Sequence, residues 1–417
     1  MKRVYTILLF LLCVSYINGQ NVKYAREIID TLTSPAMHGR GYVNDGDKMA
    51  AAFISNEFFK CGLLSFGENY FQPFEIPINT FPDTVEVYID DQKLIPGQDF
   101  VIFSSSPSVW GTFDLAWSLN DSAGIYLDSL TDFADKVVIT DRNQKEFEKE
   151  NALGSKGIIF LMKDKVWWHV SNGKKVKDYF QLQILKNKIP DSAKTITIHA
   201  RNRYFENYQT QNVIGYIPGR NDPDSFFVFT AHYDHLGRMG SETFFPGAND
   251  NASGTAMLLD LARHYSQPQN QPDFSVVFMA FSAEEVGLFG SNYYASHPLF
   301  PLKKILFLVN LDMVGSGSQG IKVVNGTVFK EEFDKLVKIN SKNEYILKVS
   351  ERGESPNSDH YPFYAAGVPA FFIYTLGDEC KEYHNIYDVS GNVPLTEYND
   401  VFRLLVDFER QLVKEIK

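Results

Sequence analysis

Five long apolar runs, separated by stretches of helical periodicity, dominate the second half of the chain. These runs are Asn212 to Ile217, Phe226 to Phe229, Phe274 to Phe281, Ile305 to Leu311 and Ala370 to Tyr374. Nearly continuous apolar runs of this length are typical of strands that are buried on both faces of a sheet. Because helical stretches lie between them, the pattern predicts an α/β fold with a mixed, mainly parallel central sheet flanked by helices.

The first half of the chain follows a different pattern. Two helical patterns, Tyr24 to Leu32 and Asp47 to Cys61, come before a series of short β-prone runs that are separated by polar turns. The short runs are Thr84 to Ile89, Phe100 to Phe103, Lys136 to Thr140, Gly157 to Met162 and Thr195 to His199, with one helical segment near Glu146 to Leu153. We therefore expect a main domain formed by residues 20–82 and 207–417, and a small, mostly β insert at residues 83–200 that can be deleted without loss of the fold.

The amino terminus has the features of an export signal. Lys2 and Arg3 precede an apolar run, and Gly19 stands before the polar residue Gln20. This arrangement predicts a signal peptide, residues 1–19, and a secreted or periplasmic protein. No later segment is long and apolar enough to predict a membrane span.

Charge and cysteine content narrow the possible classes of partner. The formal net charge is -11 at pH 7, so the chain has no basic field to attract nucleic acid. Beyond the predicted signal peptide the cysteines are Cys61 and Cys380, too few for the disulfide framework of a small secreted scaffold. We favour two separate buried thiols over a disulfide between them, and the sequence leaves both the pairing and the oligomeric state open.

Residues of metal-binding types follow the apolar runs where each strand is expected to end. His232 and Asp234 lie two residues apart, and therefore on one face of a strand. Asp250 lies in the connection to a helix that is predicted to begin near Ser253. In α/β sheets, ligands bind in the crevice outside the carboxyl ends of the strands, so this edge is the predicted site.

Three further clusters extend this set. The third run leads to Glu284 and Glu285, the fourth ends beside Asp312, and the fifth leads to His384. The predicted metal ligands are therefore His232, Asp250, Glu285, Asp312 and His384. Two imidazoles and three carboxylates suit two Zn²⁺ ions that share one carboxylate. Two such ions, about 3.5 to 4 Å apart, polarise a carbonyl and lower the pKa of a water, and Glu284 is the adjacent candidate base.

Six motifs resemble the co-catalytic di-zinc exopeptidases, a family that includes bacterial leucyl aminopeptidase, aminopeptidase Y and glutamate carboxypeptidase II. The motifs are AHYDH, GANDNASG, AFSAEEVGLFGS, NLDMVG, SDHYPFYAAGVPA and YHNIYD. The resemblance implies that His232 and Asp312 bind one zinc, that Glu285 and His384 bind the other, and that Asp250 bridges both. It spans the chain outside the signal peptide.

The resemblance also implies roles for neighbouring residues. Glu284 would be the general base, and Asp234 would orient His232 through the second ring nitrogen of that histidine. The peptide bond from Asp250 to Asn251 would be cis. The insert at residues 83–200, with the segments KVVITD and GSKGIIFL, resembles a protease-associated domain.

One position departs from the family pattern. Leucyl aminopeptidase has a tyrosine three residues before its SDH motif that helps to hold the oxyanion, whereas this chain has Ser355 there. Stabilisation of the oxyanion is then expected from zinc, from a residue such as Ser358, or from a tyrosine elsewhere in the chain.

An exported zinc aminopeptidase that acts on peptides is the favoured function. A carboxypeptidase or dipeptidase on the same site would need an arginine fork for the substrate carboxylate, for which Arg238 and Arg352 are candidates. A glutaminyl cyclase shares the fold but uses one zinc, and the complete set of five ligands favours hydrolysis. A non-catalytic binding ectodomain, as in the transferrin receptor, can dispense with the ligands, and here all of them are present.

For some other residues that could bind a ligand or a metal, the sequence pattern gives only weak evidence of a role. Arg40, flanked by glycines, is either a loop anchor or part of a solvated turn. His169 and His199 lack metal-ligand spacing, so we expect them at the surface or in packing contacts. Trp167 and Trp168 either line a groove or lie partly buried under a loop.

Overall fold

The computed structural model describes residues 22–118, 133–141, 151 and 154–416. The predicted signal peptide lies outside the described residues, as does the helix predicted near Glu146 to Leu153 except for Asn151. The helices are α1 (Val22–Leu32), α2 (Gly46–Lys60), α3 (Gly254–Tyr265), α4 (Phe289–Ser296), α5 (Lys330–Asn343), α6 (His360–Ala365) and α7 (Tyr398–Ile416). Among the described residues, no helix is both long enough and apolar enough to cross a membrane.

The strands form two large sheets and one short hairpin. The strands before residue 202 are β1 (Phe71–Thr80), β2 (Val85–Ile89), β3 (Gln92–Lys93), β4 (Phe100–Ile102), β5 (Val109–Trp117), β6 (Val137–Thr140), β7 (Gly157–Met162), β8 (Phe180–Leu185) and β9 (Thr195–Ala200). The later strands are β10 (Arg203–Ile217), β11 (Asp222–His232), β12 (Gly237–Met239), β13 (Thr243–Phe245), β14 (Phe274–Phe281), β15 (Ile305–Leu311), β16 (Gly320–Val324), β17 (Val349–Glu351) and β18 (Ala370–Leu376).

The first sheet has the order β1-β10-β14-β11-β15-β18-β16-β17. Its four central strands, β14, β11, β15 and β18, are parallel, whereas β10 and β16 run antiparallel to their neighbours at either side. The predicted class, a mixed and mainly parallel α/β sheet flanked by helices, is therefore confirmed. Because the four central strands are parallel, their carboxyl ends lie at one edge of the sheet.

Burial on both faces explains the continuous apolar runs. In β11, Phe227 and Phe229 pack with α1, α2, α3 and α7 on one side of the sheet, through residues such as Ile54 and Phe408. Val228, between them, packs on the other side with Phe363 of α6. Successive side chains of a strand point to opposite faces, so a strand covered on both faces needs apolar residues at every position.

The second sheet is built from residues between Val85 and Ala200, in the order β3-β2-β9-β5-β6-β7-β8-β4. Buried side chains of this sheet form one hydrophobic cluster with residues from the rest of the protein, including Met239 and Phe245 of the hairpin and Val286 after β14. The indole ring of Trp168 lies 4.8 Å from the ring of Phe245, centroid to centroid. The two sheets therefore share a hydrophobic core.

This shared core changes the result expected for deletion of residues 83–200. The shortened chain exposes Met239, Phe245 and Val286, and each fully buried apolar side chain that returns to water costs about 1.5 to 3 kcal/mol. We expect a lower thermal midpoint, and binding of an apolar dye by the shortened protein. A cooperative melt at the temperature of the full chain, without dye binding, would show that the insert has a separate core.

Candidate metal centre

The predicted ligands lie around the carboxyl edge of the first sheet. His232 is the last residue of β11, Asp312 follows β15, and Glu285 lies in the turn after β14. Asp250 lies in the turn before α3, and His384 in the loop after β18. All five side chains are buried, with 1 to 8% of their surface exposed. The structure thus brings together every ligand that the strand pattern predicts.

The carboxylate of Asp250 faces two histidine–carboxylate pairs. Its Oδ1 lies 3.4 Å from Nε2 of His232, which is also 3.4 Å from Oδ1 of Asp312. Its Oδ2 lies 3.1 Å from Nε2 of His384, which is also 3.1 Å from Oε2 of Glu285. A tetrahedral zinc with bonds of about 2.0 to 2.1 Å has ligand atoms about 3.3 Å apart. Each histidine nitrogen has this spacing from two carboxylate oxygens, and a third buried histidine, His235, lies within ligand distance of Asp250 and Glu285. The side chains therefore fit two zinc ions that share Asp250.

Electrostatics also favour a cation at this position. Burial disfavours charge on His232, yet the nearby carboxylates, above all Asp312, hold its pKa well above the ordinary value. The same opposition operates at His384, where Glu285 outweighs burial and raises the pKa. Oδ1 of Asp312 is buried and accepts no hydrogen bond from the described residues. Excess carboxylate and an unsatisfied oxygen are features of a cation site.

Glu284 differs from the five ligands because its side chain remains partly exposed. Removal from bulk water raises the pKa of this carboxyl group well above its ordinary value, and the negative charge of Glu285 adds to the effect. A partly exposed carboxyl group beside the candidate ligands can exchange a proton with a bound substrate.

Asp234 holds the turn that carries Glu284 and Glu285. Its carboxylate accepts hydrogen bonds from the backbone N–H groups of Glu284 (3.2 Å) and Glu285 (3.4 Å), and from the Tyr42 hydroxyl (2.8 Å). Nδ1 of His232 lies 3.2 Å from the carbonyl oxygen of Asp234, but 3.7 Å from its carboxylate. The carbonyl is therefore the nearer acceptor for the imidazole, and the carboxylate orients the Glu284–Glu285 turn.

Ser358 forms a hydrogen bond with Asp312. Its hydroxyl donates to Oδ2 of Asp312 at 3.0 Å, and it accepts a hydrogen bond of 2.8 Å from the side-chain amide of Asn310. Thr230 in turn donates to the amide oxygen of Asn310 at 2.6 Å. Because the Ser358 hydroxyl donates its proton to Asp312, it is not free to donate to an oxyanion.

Arg40 is a buried anchor, which decides between the two interpretations of the sequence. Its guanidinium donates to the carbonyl oxygens of Leu32 (3.1 Å), Tyr233 (2.7 Å), Pro246 (2.5 Å) and Gly247 (2.7 Å). Burial lowers the pKa of Arg40 to about 10, so the side chain remains a cation at neutral pH. This one side chain joins the end of β11 to the loop that carries Asp250.

Asp388 holds the same loop from the other side. Its two carboxylate oxygens accept the backbone N–H groups of Asn249 (2.8 Å) and Asp250 (3.0 Å). The peptide bond between Asp250 and Asn251 is cis, as the family resemblance predicts. The backbone at Asp250 is therefore held by hydrogen bonds on both sides of the site.

Tyr383 is a site residue that the strand pattern did not indicate. Its ring stacks on the imidazole of His384 at 3.8 Å, with an angle of 16° between the planes. Tyr383 keeps 43% of its surface exposed; its partial burial and the negative charges of Asp250 and Glu285 raise its pKa, so its hydroxyl stays protonated. Its position directly before His384 in YHNIYD was the available signal.

Two more histidines contact the candidate ligands. Nδ1 of His235 lies 2.8 Å from Oε1 of Glu285, the carboxylate oxygen that does not face His384. His169, from the insert, is exposed as the sequence predicts, but its Nδ1 lies 3.0 Å from Nδ1 of His384. His199 instead stacks on the exposed Trp110, with ring centroids 4.2 Å apart.

Cys61 and Cys380 are unpaired, as expected, but only partly buried.

Comparison with known proteins shows what the part of the chain around this site is similar to. Residues 212–408 match the model of Peptidase family M28. Through these residues the chain is similar to Peptidase family M28. The match begins within β10, ends within α7, and includes the five candidate ligands and Glu284.

Curated relatives match a limited part of this chain. Aminopeptidase YwaD of Bacillus subtilis (strain 168) is 36% identical over 175 residues, which are 39% of this chain and 35% of the relative. Leupeptin-inactivating enzyme 1 of Streptomyces exfoliatus is 33% identical over 176 residues, which are 41% of this chain and 37% of the relative. The chain therefore matches just over a third of the length of these relatives.

The fold of the chain resembles that of a solved zinc aminopeptidase over almost its entire length. The structure of BSAP, a zinc aminopeptidase from Bacillus subtilis, superimposes with a TM-score of 0.71 and 23% sequence identity. The superposition covers 95% of each chain. At this identity the likeness establishes the fold, including the second sheet.

Proposed function

We propose that this chain is an exported zinc aminopeptidase that removes amino-terminal residues from peptides. The observation that carries the proposal is the Asp250 carboxylate, whose two oxygens each face a histidine–carboxylate pair. The aminopeptidase names of M28 relatives support the direction of cleavage. Export is supported by Lys2 and Arg3 ahead of the amino-terminal apolar run.

Five side chains would hold two zinc ions. His232 and Asp312 would bind one ion, Glu285 and His384 would bind the other, and Asp250 would bind both. Bound zinc would polarise the scissile carbonyl and lower the pKa of the attacking water. Asp234 would keep Glu284 and Glu285 in place through its two backbone hydrogen bonds.

Glu284 would move the proton. It would accept a proton from the attacking water as the new C–O bond forms, and then donate that proton to the amine nitrogen as the C–N bond breaks. Its carboxyl group can face a substrate because it is partly exposed, whereas the five proposed ligands are buried.

Tyr383 would stabilise the oxyanion. Ser355, which stands where leucyl aminopeptidase has a tyrosine, has no phenol hydroxyl to do so. Its hydroxyl is protonated, its ring is fixed against His384, and the charges that act on it belong to the site carboxylates. Ser358 is less suitable because its proton is donated to Asp312. A preorganised donor of this kind strengthens its hydrogen bond as negative charge develops.

Tyr383→Phe is therefore expected to lower kcat about 10²- to 10³-fold with little change in zinc content, since loss of one oxyanion donor has this magnitude. Tyr387→Phe is the matched control, because Tyr387 is a partly exposed tyrosine in the same loop. Steady-state kinetics on an amino-acid nitroanilide measures both variants. Equal kcat values for Tyr383→Phe and the unmodified protein would remove Tyr383 from the mechanism.

The carboxypeptidase and dipeptidase alternative has less support. The guanidinium of Arg238 contacts His38 and the carbonyl of Ser241, and that of Arg352 contacts Tyr374 and Ser355. In the described part of the chain, neither arginine forms a hydrogen bond or an ion pair with the five candidate ligands. The paired ligand groups also favour hydrolysis over a cyclase reaction, and the ligands would have no purpose in a binding ectodomain.

A substrate panel tests the proposed function. Leucine nitroanilide, an amino-blocked version of the same compound, and a glutaminyl peptide are each assayed before and after treatment with chelator. The proposal predicts hydrolysis of the first compound alone, loss of that activity with chelator, and recovery with zinc. Cleavage of the blocked compound, or cyclisation of the glutaminyl peptide, would contradict the proposed function.

A further inference from the structure

His384 is held between the proposed metal ligands and a residue of the second sheet. Its Nε2 faces Asp250 and Glu285, each at 3.1 Å. Its Nδ1 faces Nδ1 of His169 at 3.0 Å, and the two ring centroids are 4.7 Å apart. Both nitrogens of His384 therefore have partners, and one of these partners belongs to the insert.

The backbone fixes His169 at this position. The N–H of Trp168 donates to the carbonyl of His384 at 2.9 Å, so the insert and the His384 loop are joined by a main-chain hydrogen bond. The hydroxyl of Ser104 donates to the carbonyl of His169 at 2.9 Å. Close by, Lys165 forms an ion pair of 2.6 Å with Glu382. These contacts hold the His169 ring in register with His384.

The facing nitrogens define which atom carries the proton. Two Nδ1 atoms 3.0 Å apart form a hydrogen bond only when one of them is protonated and the other is not. A metal-bound histidine coordinates through an unprotonated nitrogen and donates from its other ring nitrogen. With zinc bound at Nε2 of His384, its proton would lie on Nδ1, and His169 would be the acceptor.

The two halves of the site consequently differ. His232 has oxygen acceptors near Nδ1, namely the carbonyl and the carboxylate of Asp234. His384 has instead a ring nitrogen near Nδ1, supplied by a side chain that lies 215 positions away in the sequence. The acceptor for one ligand is thus local, and the acceptor for the other comes from the second sheet.

We propose that His169 is a positioning residue that fixes the orientation and tautomer of His384, and that the insert thereby sets the affinity of the zinc position formed by His384 and Glu285. This inference rests on the proposed zinc function. It gives the second sheet a part in metal binding, through a contact that no ligand-spacing pattern in the sequence contains.

The test compares His169→Leu with His169→Asn. Leucine occupies similar space without an acceptor, whereas Oδ1 of asparagine is as many bonds from the backbone as Nδ1 of histidine and accepts a hydrogen bond. Zinc affinities are measured by competition with a chromophoric chelator. We expect His169→Leu to weaken one of two zinc sites by about 10- to 100-fold and to leave the other unchanged, since loss of such a partner has this effect. His169→Asn should restore most of the affinity.

His199→Leu is the matched control, because His199 belongs to the insert and stacks on Trp110. Its zinc affinities should equal those of the unmodified protein, and the zinc-free variants should share one melting temperature. Unchanged affinities in His169→Leu would overturn the inference, as would an equal loss in His169→Asn or a loss at both sites. If the unmodified protein itself binds no zinc, the proposed function fails first.

Discussion

Glu284→Gln is expected to abolish turnover while both zinc ions remain bound. Glutamine keeps the shape of the side chain but cannot accept the proton of the attacking water, and loss of a general base lowers the rate by about 10²- to 10⁴-fold. The side chain is not among the five that form the two ligand groups, so metal binding should be nearly unchanged. Measurement of kcat together with zinc content on the same sample checks both parts of this result.

Glu285→Gln is the matched comparison, because the same substitution is made one position along the chain. Oε2 of Glu285 lies 3.1 Å from Nε2 of His384, within a proposed ligand group. We expect this variant to lose or weaken one zinc ion. Equal metal loss in the two variants would contradict the separate roles of the two glutamates.

Arg40→Met is expected to cause the largest loss of stability. The substitution leaves carbonyl oxygens of Leu32, Tyr233, Pro246 and Gly247 without their donor in a region closed to water. Each buried polar group that loses its partner costs about 1 to 3 kcal/mol. The sum is a large fraction of the total stability of an ordinary domain, about 5 to 15 kcal/mol. Denaturant melts should therefore show a strongly destabilised or unfolded variant.

The control for Arg40 is Arg26→Met. Arg26 donates to the carbonyl oxygens of Ser390 and Val393 and to the hydroxyl of Ser390, but it is half-buried, so water can replace the lost donor. We expect this control to lose about 1 kcal/mol. If the two variants are equally stable, the carbonyls around Arg40 do not depend on its guanidinium, and the proposed anchor is wrong.

Three of the five candidate ligands could be predicted because each one lies at or just after the end of a strand. Parallel strands place their carboxyl ends at one edge, so His232, Asp312 and Glu285 are gathered by the sheet itself. The apolar runs that mark these strands are strong signals, and the strands Phe274–Phe281 and Ile305–Leu311 have the predicted bounds. Local pattern and global topology agree at these positions.

The strand β1 shows where the pattern misleads. It contains Pro73 and Pro77, and proline normally argues against a strand because it cannot donate to the ladder. Here the strand lies at the edge of the first sheet, and its pairing with β10 shifts register between Ile76 and Ile78. An edge position tolerates residues that the interior of a sheet excludes.

The supporting residues could not be predicted because their partners are distant in the sequence. Arg40 binds carbonyls of the β11 end and of the Asp250 loop, and its flanking glycines gave no sign of either. His169 reaches His384 only because the two sheets share a core. Contacts of this kind depend on tertiary packing, which residue spacing does not encode.

Anomalous diffraction at the zinc absorption edge tests the central claim most directly, because it counts the ions and locates them. The account predicts two peaks per chain, one beside His232 and Asp312 and the other beside His384 and Glu285, with Asp250 between them. A single peak, or zinc bound away from Asp250, would contradict the assignment of the five side chains to a two-zinc centre.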